Sequence, residues 1–281
     1  MEAAGLVFAY DGSLNGDWVA HYAVRFAANT SARRLRLVHV RQGLAEAHLR
    51  ERIERIADEC RVLGVGLDKA LVEHDGADVA ALLLECVPQG ATLIAGTRAR
   101  PRNFELLAGT VSARLLDAGR FPVVAIRVVH PGVLGQPGSV LLPLAGAPRA
   151  AANALPLLRL LGGDLRRLHV LFVREVSRVR FRVLRSEAAA RLLETGRALV
   201  GPIEDDLRTG LAPHRFELDS SVVVSDDAPK EIVLHAAKHR SRLICLDASR
   251  RTLRQRLVYG DPIERVLRDA PSDVAVYRSV G

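Results

Sequence analysis

Two stretches decide the fold: Leu71–Thr97, LVEHDGADVAALLLECVPQGATLIAGT, and Val222–Ala248, VVVSDDAPKEIVLHAAKHRSRLICLDA. Each runs from an apolar run through a charged turn and an amphipathic segment to a second apolar run, at an offset of 151 residues. The same offset pairs Gly109 with Gly260, Arg114 with Arg265, Leu116 with Leu267, Val123 with Val274 and Arg127 with Arg278. Upstream, VFAYDG (7–12) pairs with LLPLAG (141–146), and LRLVHVR (35–41) with LHVLFVR (168–174). These earlier matches lie at offsets of 134 and 133. The chain therefore reads as one unit written twice, with about 17 extra residues between the second and third strands of the second copy.

Within the first copy apolar runs alternate with helical spacing. Leu6–Tyr10 is a short apolar run, Trp18–Ala28 has helical periodicity and Leu35–Val40 is a second strand. Residues 44–63 show the i, i+3, i+4 pattern of an amphipathic helix. Ala70–Glu73 reads as a strand, Asp78–Val87 as a helix and Thr92–Ala95 as a buried strand. Leu107–Leu116 reads as a helix and Val123–Val129 as the closing strand. Continuous Val, Ile and Leu strands separated by helices imply a parallel sheet covered on both faces. The expected fold class is α/β, with two tandem five-stranded, mostly parallel, doubly wound sheets. The domains are expected at 1–129 and 139–281, joined by the Gly- and Pro-rich linker 130–138.

Composition narrows the function classes. Of 281 residues 49% are hydrophobic and 26% charged, which excludes general disorder. No run of roughly 20 apolar residues is available for a membrane span, and the start MEAAGLVFAYDGS lacks a basic region, so a cytoplasmic protein is expected. Cys60, Cys86 and Cys245 are isolated and no CxxC or Cys/His pair at ligand spacing is identified, so neither disulfides nor a metal is expected. Residues 1–138 carry 16 basic and 15 acidic side chains, and residues 139–281 carry 24 and 17. A basic half suggests an anionic partner. Only Lys69, Lys230 and Lys238 are lysines, however, so an Arg-rich solvated surface is the competing reading. The stretch REVSRVRFRVLRSEAAARLLETGRAL (174–199) alternates arginine with Val and Phe, as a half-exposed strand extension or amphipathic lead-in would. Aromatics are 4% of the chain, so a base-stacking surface is poorly supported and nucleic acid ranks last among partners.

Parallel sheets bind ligands beyond the carboxyl ends of their strands, where strand order reverses. The segment after the fourth strand, GTRARPRNFELLAGT (96–110), suits an anion. Gly96 would allow close backbone approach, Gly109 opens a helix whose free N–H groups favour negative charge, and Thr110 adds a hydroxyl. Arg98, Arg100 and Arg102 add positive charge along the loop. Glycines acting as strand stop and helix cap, with solvated arginines, are the alternative. Neither GxxxxGK[ST] nor GxGxxG after the first strand is present.

These motifs resemble the universal stress protein family. The nucleotide-binding members carry an aspartate in a V-D-G-S-like turn after the first strand and a GxxGx9G[ST] loop after the fourth. Here AYDGS supplies Asp11, and Gly96, Gly109 and Thr110 keep the loop spacing; VSARLLDAGRFPVVAIR resembles the closing helix and strand. Position 99 departs, with Ala99 in place of the second glycine. The resemblance implies an adenine-nucleotide α-hydrolase-like fold whose two copies form an intramolecular pseudo-dimer through Val123–Val129 and Val274–Val280. It implies that ATP or AMP, with or without Mg2+, binds the first copy. Asp11 would contact the ribose or adenine side, Val40 and Ala95 the adenine. Gly96, Arg98, Ala99, Gly109, Thr110, Val111 and Ser112 would surround the ribose and phosphates. Asp11 as a plain turn-former in Asp-Gly is the alternative.

The second copy has Ala145 for Asp11, Asp247 for Gly96, Arg250 for position 99 and Asp261 for Thr110, keeping only Gly260. Carboxylates would repel phosphate, so this copy is expected to be structural or regulatory. Asp247 and Asp261 would then cap elements or pair with Arg250 and Arg251, near Arg254 and Arg256. His39 and His74 lie near strand ends but have no nucleophile beside them, and read as surface or hydrogen-bonded histidines. The function expected is a non-enzymatic stress-response protein binding ATP or AMP, any hydrolysis being slow and incidental. The alternative is a nucleotide-independent interaction module, its basic second copy docking on an acidic protein, transporter or membrane surface. A further association into a homodimer is left open.

Overall fold

The computed structural model describes residues 5–41, 46–74, 76, 78–98, 105–145, 150–248 and 262–280. The first half runs β1 (Leu6–Ala9), α1 (Leu14–Ala28), β2 (Arg34–Val40), α2 (Glu46–Val62), β3 (Gly66–Val72), α3 (Val79–Glu85), β4 (Thr92–Gly96), α4 (Val111–Ala118) and β5 (Val123–Arg127). The second half runs β6 (Gly138–Ala145), α5 (Ala150–Leu161), β7 (Leu165–Glu175), α6 (Arg178–Arg182), α7 (Ser186–Gly210), β8 (Glu217–Ser225), α8 (Ala228–Lys238), β9 (Leu243–Asp247), α9 (Pro262–Asp269) and β10 (Asp273–Arg278). The repeat read from the sequence is thus present element by element, with α6 and the 25-residue α7 taking up the insertion.

Several boundaries differ from expectation, and three of the differences have a plain physical cause. The helix expected over Leu107–Leu116 starts only at Val111, because Gly109 is left-handed (φ +68°) and Thr110 is extended, and both precede the first helical turn. β3 begins at Gly66 rather than Ala70, its polar Asp68 and Lys69 tolerated because it is an outer strand. The Arg/Val/Phe alternation after Glu175 is a short helix and not a strand extension: Ser177 caps α6, and Val179 and Val183 stay exposed. With neither face buried, alternation there had no sheet to enforce it.

All ten strands form one sheet in the order β3-β2-β1-β4-β5-β10-β9-β6-β7-β8. Each half is parallel, and the halves join where β5 meets β10 antiparallel, from Val123↔Arg278 to Arg127↔Val274. The pairing expected between the closing strands is therefore observed, and it covers two edges that would otherwise be exposed apolar strands. The cores divide by sheet face. One face packs α1, α2, α5 and α7 around Phe8, Tyr22, Leu142 and Phe172. The other packs α3, α4, α8 and α9 around Leu93, Leu115, Ile244 and Leu267. Both cores draw on both halves.

Candidate functional site

Strand order reverses between β1 and β4, so the loops after these strands bound the crevice where a doubly wound sheet binds ligands. Asp11 follows β1 and is exposed; its Oδ1 accepts from the Ser13 N–H (2.9 Å) and the Ser13 hydroxyl (2.7 Å). Ser13 in turn caps α1 by accepting from the Gly16 N–H at 3.0 Å. The carboxylate lies over the first turn of α1, where a Cβ on Gly16 would sit 2.4 Å from Asp11 Oδ1. Asp11 thus forms the turn that the simpler reading required, while its other oxygen is left to solvent or a ligand.

The glycines have different duties. A Cβ on Gly96 would lie 3.2 Å from Asn15 Nδ2 and 3.4 Å from Val19, so this glycine lets α1 pack against β4. This packing duty stands beside the ligand approach that the loop spacing suggested. Asn15 is buried and donates to the Thr97 carbonyl (3.0 Å), tying the helix to the strand end, and the Ser112 hydroxyl donates to the Gly96 carbonyl. Gly109 has a positive φ with open space where a side chain would stand. Thr110 caps α4 by accepting from the Ala113 N–H at 3.1 Å and donating to the Leu107 carbonyl, so its hydroxyl is used locally. This leaves the first-turn N–H groups of Val111 and Ser112 as the anion-facing donors. Arg98 closes the loop through its N–H to the Leu106 carbonyl and its guanidinium to the Glu105 carbonyl. Val40 and Ala95 lie buried at the ends of β2 and β4. Ala99, with Arg100 and Arg102, falls outside the described residues. Beside the Asp11 turn, an open cleft of about 390 Å³ is lined by Gly12, His48, Glu51, Arg52 and Arg55. His39 is buried and hydrogen-bonded through Nδ1 to the Tyr10 carbonyl (2.8 Å); His74 is exposed.

The residue that sequence reasoning missed is Glu264, on α9 of the second half. Its carboxylate is buried and accepts from the N–H groups of Leu106 (2.7 Å), Leu107 (2.7 Å) and Ala108 (2.6 Å). The anion-binding backbone just ahead of Gly109 is therefore filled from within the chain. No signal pointed to it, because the repeat places Ala113 at the matching position. Two neighbours add to the brace. Asp273 is buried and accepts from Tyr22 OH (2.6 Å) and the N–H groups of Val129 (2.7 Å) and His130 (2.9 Å). Burial, then the Asp273 charge, push the Tyr22 hydroxyl far above its usual range. Arg278 donates to the carbonyls of Leu116 and Asp117 at the end of α4.

In the second half the matching crevice is built differently. Asp247, at the place of Gly96, accepts from Asn153 Nδ2 at 3.2 Å. The β6–β9 ladder spans only Val140↔Leu243 and Leu141↔Ile244, although β6 and β9 both continue. Pro143 follows with no N–H to donate, while the β6–β7 ladder runs on to Ala145↔Val173. Asp261, Gly260, Arg250, Arg251, Arg254 and Arg256 lie outside the described residues.

Comparison with known proteins agrees with this architecture. Residues 140–278 match the universal stress protein family, so the half with the altered crevice carries the family signature. No curated protein matches the chain. Among solved structures, a universal stress protein from Archaeoglobus fulgidus is 16% identical, with TM-score 0.64 over 100% of both chains. A protein of unknown function from Pseudomonas aeruginosa is 15% identical, with TM-score 0.61 over 99% of this chain and 94% of that one. The cytoplasmic domain of a prokaryotic cation chloride cotransporter is 11% identical, with TM-score 0.58 over 100% and 96%. At these identities the structures speak to the fold alone, and the family match at 140–278 speaks to descent. Residues 140–278 therefore belong to the universal stress protein family, and the first half repeats the same element order.

Proposed function

We propose that the first half binds an adenine nucleotide, ATP or AMP, in the β1/β4 crevice, and that the protein serves a cytoplasmic stress response without turning the nucleotide over. The observation that carries this reading is the open face of Gly109 just ahead of α4, in the connection after β4, the strand that lies next to β1 and its Asp11 turn. Asp11 would accept from ribose hydroxyls, for which a carboxylate is suited. The N–H groups of Val111 and Ser112 would meet a phosphate, favoured by the helix dipole. Glu264 holds a negative charge just ahead of Gly109, so added phosphates are disfavoured and AMP is expected to bind at least as tightly as ATP. Calorimetric titration with AMP and ATP tests this, with Asp11→Ala and Gly109→Asp as controls. Absence of binding at millimolar nucleotide would overturn it.

A second reading is favoured by Glu264 itself. It already satisfies the N–H groups of Leu106, Leu107 and Ala108, so these three need no ligand. The chain would then be a nucleotide-independent module whose basic second half docks on an acidic protein or transporter. The full-length likeness to a cotransporter's cytoplasmic domain supports the shape of such a module. Among the described residues no helix is long and apolar enough to cross a membrane.

A further inference from the structure

At the outer end of the sheet in the second half, β7 carries His169 directly opposite Asp219 of the edge strand β8. Helix α8 brings His235 and, at its C-terminal cap, His239 to the same place. Their spacing, His-x3-His in HAAKH (235–239), puts both rings on one helix face. The expectation of no ligand-spaced histidines overlooked this pair, which becomes a cluster only when β7 adds the third ring. The rings stack: centroids are 3.6 Å apart for His169–His239, 5.6 Å for His235–His239 and 5.9 Å for His169–His235.

Their nitrogens are the unusual feature. His169 and His235 are 4% and 8% exposed, yet Nε2 of His169, Nδ1 of His235 and Nε2 of His239 have no hydrogen-bond partner. Buried polar atoms are ordinarily partnered, so three unpartnered rings in one cluster call for a ligand. One nitrogen from each ring lies within 4.8 Å of the others. Asp219 Oδ2 stands 2.9 Å from His169 Nδ1 and 4.0 Å from His239 Nδ1, at ion-pair range but not aligned as a hydrogen bond.

We propose that His169, His235 and His239, with Asp219 beside them, form a site for one divalent transition-metal ion of the zinc class. Imidazole nitrogens suit such ions, whereas calcium and magnesium prefer oxygen. Zinc–nitrogen bonds of about 2.0–2.1 Å place tetrahedral ligands roughly 3.3 Å apart, so the rings must turn out of the stack to aim their in-plane lone pairs at one ion. Asp219 is positioned to ligate or to orient a ring, as carboxylates next to metal-bound histidines do. An open groove of about 610 Å³, lined by His235 with Arg197, Glu204, Ser220 and Lys238, gives access from solvent. Lys238 opposes a cation there and Asp219 offsets it. The first half is a built-in control: its matching strand pair is Arg36–Asp68 (3.7 Å), and Leu84 and Pro88 stand 151 residues before the two α8 histidines.

The test uses the full chain, stripped with a chelator and free of any histidine tag, titrated with Zn2+ by calorimetry and with Co2+ by visible absorption. One equivalent is expected to bind at micromolar Zn2+, with the intense bands of tetrahedral Co2+, and Mg2+ should give no signal. Asp219→Asn should weaken Zn2+ binding by about 10–100-fold, and His239→Gln by more. Because a variant at buried His169 can misfold, the partly exposed His239 carries the test, with near-ultraviolet circular dichroism in chelator as the fold control. Failure to bind one equivalent, or wild-type affinity in His239→Gln, would overturn the site. The inference is independent of the nucleotide reading: Asp11→Ala should leave Zn2+ binding unchanged, and a change there would count against it.

Discussion

At the end of β1 the ladder to β4 runs from Leu6↔Thr92 to Ala9↔Ala95, whereas the matching ladder in the second half stops after Leu141↔Ile244. One crevice ends in glycine and backbone donors; the other ends in Asp247 held by Asn153 beside strands that no longer pair. The acids of the second half also reach outward: Glu264 and Asp273 satisfy N–H groups of the first half and the connection after it. Neither acid has a counterpart in the first half, where Ala113 occupies the place of Glu264 and Pro122 that of Asp273. The difference teaches that two copies of one fold can divide the work, one keeping a crevice and the other supplying the groups that hold it.

The largest expected effect comes from removing the one-sided brace. Glu264→Ala leaves three N–H groups without their acceptor and should cost about 3–5 kcal/mol. Denaturant unfolding would show this as a lowered midpoint, and a loss below about 1 kcal/mol would mean the halves do not depend on the contact. Next, Ala9→Pro should break a ladder bond in the intact crevice and cost about 1–3 kcal/mol. Its mirror, Pro143→Ala, should change stability by less than about 1 kcal/mol, since the ladder there has already opened. Equal effects would erase the distinction between the two crevices.

Gly109→Ala should cost about 1 kcal/mol, entirely from its positive φ, because no atom stands where the methyl would go. The smallest effects belong to a feature both halves share. Asp78 caps α3 and pairs with Arg114 of α4, and Asp227 caps α8 and pairs with Arg265 of α9 (2.8 Å). Arg114→Ala and Arg265→Ala should each cost less than about 1 kcal/mol. For Asp227, burial raises its carboxyl, but Arg265 and the Lys230 N–H outweigh it and leave it below the ordinary 3.8. A depressed carboxyl contributes stability that is present above pH 3.8 and is lost as pH falls through its lowered value. Acid titration of the Arg265→Ala variant should show a shallower loss in that range than the parent.

Much of the fold was legible because it rests on local periodicity. The apolar runs of β1, β2, β4 and β5 and the amphipathic pattern of α2 repeat at a nearly constant offset, and burial of each run on a two-faced sheet demands that pattern. Boundaries failed where a single backbone angle decided them, as at Gly109 and Thr110, or where no core enforced the pattern, as in Arg178–Arg182. The local structural duty of each candidate nucleotide residue was not legible. Gly96 proved to face Asn15 and Val19, which no spacing rule reports.

The sequence by itself determined the two copies, their strand and helix order, and the replacement of Asp11 and Gly96 by Ala145 and Asp247 in the second. Only the tertiary structure decided that Glu264 closes on residues 106–108, that Pro143 marks the end of a ladder, and that His169 meets His235 and His239. The physical reason is common to all three. Each depends on how strands register or helices pack across tens to hundreds of residues, and a contact of that kind leaves no periodic trace in either of the segments that make it.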